Sequence, residues 1–171
     1  MSLNGSQQAE VSVTKALAAA GNYTGNDVLS ESASSGTIWT WAAVLPDNGG
    51  RGKIVKAVAL LETTALTPGL TLYLFKAAPT SELNDNAANT AVLHADEANF
   101  VGAITFPAMT NTGAGDSQAI VTPSLTTGNL PLAFECGSSA NDLFGVVVTR
   151  DAITGESAGD DLIIKLTVEA A

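Results

Sequence analysis

Between Gly36 and Val168 the chain is cut into eight short apolar runs. They are GTIWTWAAVL (36–45), KIVKAVALLE (53–62), LTLYLF (70–75), FVGAITF (100–106), SQAIVT (117–122), LPLAFEC (130–136), LFGVVVT (143–149) and DLIIKLTV (161–168). β-Branched and aromatic residues fill them, and turn formers such as PDNGG (46–50) and LTPG (66–69) separate them. Strands joined by tight connections read this way. The expected fold class is all-β: a two-sheet β-sandwich, jelly-roll-like, of about eight strands. At 171 residues the chain fits one domain, set at 22–171, preceded by an extended N-terminal arm at 1–21. Within the arm, VTKALAAAGN (13–22) has the Ala-rich composition and the Gly21-Asn22 stop of a short helix. The arm is expected to serve binding more than folding.

Several runs are apolar on both faces. In TIWTWAAVL, Ile38, Ala42 and Val44 fall on one side of a strand, and Trp39, Trp41, Ala43 and Leu45 on the other. A sheet with one wet face alternates cleanly. One face here is core, and the other needs a cover, either a loop of the same chain or a second subunit. The longest candidate loop, 77–98, is rich in Asn, Asp, Ala and Thr, with a helical turn expected at ADEAN (95–99). Loops of that length are functional or disordered as a rule.

Charge is scarce at 14%, and the net value is −10. Residues 1–80 hold five acids and five bases, whereas residues 81–171 hold twelve acids against Arg150 and Lys165. Such a surface repels phosphate, so no direct nucleic-acid partner is expected. No apolar segment approaches the ~18 residues of a helical membrane span, and none is expected. The start, MSLNGSQQAEVSV, lacks the basic and apolar parts of a secretory signal, which predicts synthesis in a cytoplasm.

Reactive chemistry is thin. His94 is the only histidine and Cys136 the only cysteine, which excludes an ordinary zinc site and an internal disulfide. Cys136, in LAFEC, reads as a packed thiol. No nucleophile elbow or phosphate-binding loop is spelled. Asp160-Asp161 is the tightest acidic pair, in a turn. ELNDNAAN (82–89) offers oxygen ligands to calcium but lacks EF-hand spacing; Asx side chains capping their own loop explain it equally well. No catalytic residue, cofactor site or metal site is expected, and the chain reads as a non-enzyme. Arg51 and Lys53 can share a strand face, with Lys56 on the other. With Trp39 and Trp41 they form the candidate subunit or lattice interface. Trp39 and Trp41 could instead be a glycan platform on a host-attachment module.

The stretches NGGRGKIVKAVALLETTALTPGLTLYLFKAAPT, DNAANTAVLHADEANFVGAITFPA, NLPLAFEC and DLFGVVVTRDAITGESAGDDLIIKLTVE resemble small virion proteins of tailed bacteriophages, of the capsid cement or decoration type. The resemblance covers most of residues 22–168 and implies a homotrimer that binds the major capsid protein on the assembled shell. It places the protein at the capsid surface of a virion assembled in the host cytoplasm. It defines no functional residue.

Overall fold

A computed structural model describes residues 7–19, 21–63, 66–113, 115–124, 129–155 and 157–171. Among the described residues ten strands form: β1 (Gln8–Ala16), β2 (Trp39–Trp41), β3 (Arg51–Leu61), β4 (Leu70–Phe75), β5 (Phe100–Phe106), β6 (Thr110–Asn111), β7 (Ser117–Val121), β8 (Leu132–Glu135), β9 (Leu143–Thr149) and β10 (Asp161–Ala170). One 3-10 turn, His94–Asn99, stands where a helical turn was expected. The strands make two antiparallel sheets. The larger runs β1-β10-β3-β7-β6, and the smaller runs β2-β9-β4-β5. In the larger sheet β7 and β8 share one edge of β3, β7 along Ala57–Leu61 and β8 along Arg51–Ile54. The two facing orders are those of a jelly-roll-like sandwich.

The core lies between the sheets. Ile54, Ala57, Ala59 and Leu61 of β3 point into it, with Leu162, Ile164, Leu166 and Val168 of β10. From the smaller sheet come Leu70, Leu72, Leu74, Leu143 and Val147. Burial alternates along β10 from Asp161 to Glu169, the pattern of a strand with one face in the core. Cys136 is buried as expected, and burial, with the charge of Asp142 adding to it, pushes its thiol up to about 11.

The described part of the N-terminal arm departs from the sequence reading. Residues 8–16 are neither helix nor free arm but the edge strand β1, paired with β10 from Gln8↔Glu169 to Ala16↔Asp161. Val11 and Val13 pack against the core, and Leu17 is fully buried. Residues 1–6 lie outside the described part of the chain. Ala-rich composition favours helix only where nothing better competes. Here β10 offers a complete ladder, and an isolated helix with one large apolar anchor has no packing to hold it.

The run at 36–45 is a strand only over Trp39–Trp41. The chain turns immediately after it, and Ala43 takes φ +51.

Candidate interaction surface

Trp39 and Trp41 are core residues, each 1% exposed, and this corrects the reading of them as an interface or a glycan platform. Their rings lie 6.3 Å apart, nearly parallel. Trp39 Nε1 donates to the Leu29 carbonyl at 3.1 Å, and Trp41 Nε1 donates to the Ile164 carbonyl of the opposite sheet at 3.2 Å. The space for Trp41 comes from Gly145, the cross-strand partner of Trp39. A Cβ there would sit 2.8 Å from Trp41 Cζ3 and 2.7 Å from Leu72 Cδ1. The Trp41 indole thus fills a hole made on another strand, and both polar handles are satisfied.

Lys15 on β1 reaches into the same region. Its ammonium pairs with Glu31 at 2.5 Å, donates to the Thr37 carbonyl and lies 5.4 Å from the Trp39 ring centroid. Burial lowers the Lys15 pKa, opposed by the hydrogen bond and charge of Glu31. Glu31 is itself partly desolvated, which favours its neutral form. Hydrogen bonds from Lys15, Thr37 and Ser30 outweigh that and hold its carboxyl down at about 2.

The outer face of the smaller sheet is closed by the chain itself. Val146 and Val148 of β9 and Phe75 of β4 are buried there with Val28, and Leu83, Ala91 and Val92 of the long loop pack on them. That settles which cover these two-faced strands have. The loop is bolted to residues 26–36 through its backbone: Val28 N–H to Ala87 O, Asn86 N–H to Val28 O, Asp85 N–H to Ser32 O and Asn89 N–H to Asn26 O. Its polar side chains finish the job. Asp85 accepts from Tyr23 Oη and Ser30 N–H. Asn84 Oδ1 accepts from Gly36 N–H, and Glu82 from the N–H groups of Leu83 and Asn84. Buried Asp96 accepts from Thr80 and Ser81, and those bonds hold its pKa low against the opposing effect of burial. The oxygens of Glu82, Asn84 and Asp85, which the sequence offered to calcium, are directed at this chain's own donors.

The other chemistry-bearing residues stay apart. His94 is exposed and pairs with Glu97 at 3.1 Å. The backbone of Asp160 accepts from Leu17 N–H, and Asp161 N–H donates to Glu62. Among the described residues no group of three His, Cys, Asp or Glu side chains is placed to hold a metal ion, and no helix is long and apolar enough to cross a membrane.

What remains open is the outer face of the larger sheet. Val58 and Leu60 of β3, Ile163 of β10 and Ile120 of β7 lie side by side on it: Leu60 pairs with Ile163, and Val58 with Ile120. Ile120 is 48% exposed and the other three are partly so. Arg51 and Lys53 are on this face, as the sequence suggested. Lys56 joins them, against expectation. The register slips between Thr167 and Val168, so Val55 is an extra residue in β3. A bulge of one residue inverts the alternation beyond it. Ile54 and Ala57 both point inward in consequence, and Lys56 points out.

With Lys165, this face carries four of the seven cationic residues of the chain. Arg51 pairs with Glu135 at 3.4 Å, Lys53 with Glu169 at 2.7 Å and Lys165 with Glu10 at 3.7 Å. Gln8 also donates to Glu169. At the opposite end of the face Glu62, Asp116 and Asp161 surround a recess of about 180 Å³ floored by Leu60 and Ile163.

No family model matches the chain, and no curated protein is found similar to it.

Proposed function

We propose that this chain is a non-enzymatic structural protein of a virus particle, a capsid cement or decoration protein that binds the assembled major capsid protein and stabilises the head. The observation that carries the reading is the open face of the larger sheet, an apolar centre with four cations on a domain whose other sheet is covered by its own loop. A face of that kind suits contact with protein, since apolar area gives the energy and flanking charge sets register. The polar side chains that the sequence offered to chemistry are engaged in holding a loop. A jelly-roll-like sandwich hosts many functions and is no argument by itself. The virion assignment rests on the sequence resemblance.

A protein that binds only the assembled shell stabilises it by mass action, and many copies on one lattice act together. Co-sedimentation tests the reading. The protein pelleting with assembled heads and remaining in the supernatant with free capsid subunits is the expected result. Equal partition with heads present and absent overturns it.

A further inference from the structure

Along β3 the open face has one cation unpaired among the described residues, Lys56, at one end and an acidic cluster at the other, since Glu135, Glu169 and Glu10 offset Arg51, Lys53 and Lys165. Lys56 stands three residues before Ala59, and Glu62 three residues after it. Between them Val58 and Leu60 form the apolar centre with Ile120 and Ile163. Towards Lys56 lie Arg51, Lys53 and Lys165, and around Glu62 lie Asp116 and Asp161. Lys56 makes no ion pair among the described residues, unlike the other three cations of the face.

We infer that this face packs against the same face of a second copy of the chain, related by a two-fold axis lying in the contact and crossing β3 at Ala59. Such an axis reverses the strand direction. It sets Val58 against Leu60 of the other copy, lays Ile163 on the stem of Lys165 and Ile120 on Gln118, and brings each Lys56 over the acidic recess at the other copy's Glu62. The interface is self-complementary, as a closed pair requires. Two sheets stacked in this way sit ~10 Å apart with interleaved side chains. Ten-residue β10 spans about 33 Å, and four strand positions span about 19 Å. The flat face is therefore roughly 600 Å², close to the ~800 Å² per partner of a stable interface once side-chain relief is counted. The pair and a capsid contact use the same face, so the pair is the state of the free chain and gives way when the shell is bound; the three copies implied by the resemblance do not enter this argument.

The test is the molar mass of the full chain by sedimentation equilibrium over a range of concentration. The wild type is expected as a reversible pair. Val58→Asp buries a charge in the apolar centre and is expected to weaken the pair by about a hundredfold or more. Lys56→Glu and Glu62→Lys each place like charges together and are expected to weaken it about tenfold, less at high salt. The double variant Lys56→Glu/Glu62→Lys restores an opposite pair at both ends and is expected to bind more tightly than either single variant, short of the wild type because Asp116 and Asp161 stay beside the reversed charge. Near-ultraviolet dichroism of Trp39 and Trp41 reports whether each variant has folded. Should Val58→Asp fail that check, the charge reversals carry the test, since both residues lie at the surface. A wild type that stays a single copy, an assembly whose constant ignores these variants, or a double variant no better than the single ones overturns the proposal.

Discussion

The phenol of Tyr23 donates to the carboxylate of Asp85 at 2.9 Å, deep inside the chain and 62 residues apart in sequence. The same carboxylate accepts from Ser30 N–H at 2.8 Å. One side chain thus joins the segment before β2 to the loop before β5.

Asp85→Ala should therefore cost about 2–3 kcal/mol, because the Tyr23 hydroxyl and the Ser30 amide lose this acceptor away from water. Urea unfolding measures it. A loss under about 0.5 kcal/mol would mean that water reaches these donors freely.

Gly36→Ala attacks the same loop from the other side. An added Cβ would lie 1.9 Å from the Leu83 carbonyl oxygen and 2.6 Å from its carbon, both main chain, so the loop has to lift. The expected cost is about 2–3 kcal/mol. Limited proteolysis should show new cleavage within 77–93, because Val146 and Val148 then lose their cover. An unchanged digest would show that the loop and the 26–36 segment yield together.

Tryptophan fluorescence should be blue-shifted and nearly immune to iodide, since both indoles are 1% exposed. Gly145→Ala should move that spectrum and destabilise by about 1–3 kcal/mol through overpacking against Trp41 and Leu72. Strong iodide quenching in the wild type would contradict the placement of both side chains.

The acid limb of the stability curve should depend on Glu31. Its carboxyl titrates near 2 when folded and near 4.5 when unfolded. Between those values the unfolded chain binds the proton and the folded chain does not, so stability present above pH 4.5 is lost as pH falls towards 2. Partial exposure of the side chain reduces the contribution to about 1–2 kcal/mol. Glu31→Gln should flatten this part of the curve. It should also lower stability at neutral pH by about 1–3 kcal/mol, because the Lys15 ammonium stays buried without its counter-charge. Chemical denaturation at a series of pH values reads both effects.

Deleting residues 1–17 should lower the melting temperature sharply. The deletion removes β1, leaves the edge of β10 unpaired and takes Leu17 from the core. A free arm would give no change.

Strand positions were legible wherever a run carried its own boundaries: LTLYLF, FVGAITF and LFGVVVT are strands β4, β5 and β9 residue for residue. The Asx-rich loop was legible as self-capping chemistry, since Asn and Asp hydrogen-bond nearby main chain. Other features needed information from elsewhere in the chain. QAEVSVTKA has only Val11, Val13 and Thr14 as strand markers, and its ladder partner is the last strand. The alternation of Trp39 and Trp41 was visible, but the cavity that receives Trp41 is made by Gly145 on β9. Simple alternation put Lys56 opposite Arg51 and Lys53, because a bulge depends on the register of two strands and leaves no mark in one. The open face was invisible for that reason: its four cations come together only after the bulge.

β10 is the last of the ten strands to leave the ribosome, yet it lies between β1 and β3. Until it emerges, β1 has no neighbour to pair with and the inner faces of the larger sheet have no centre. Pairings this remote in sequence are slow to form. The larger sheet therefore closes late, when β10 slots between β1 and β3.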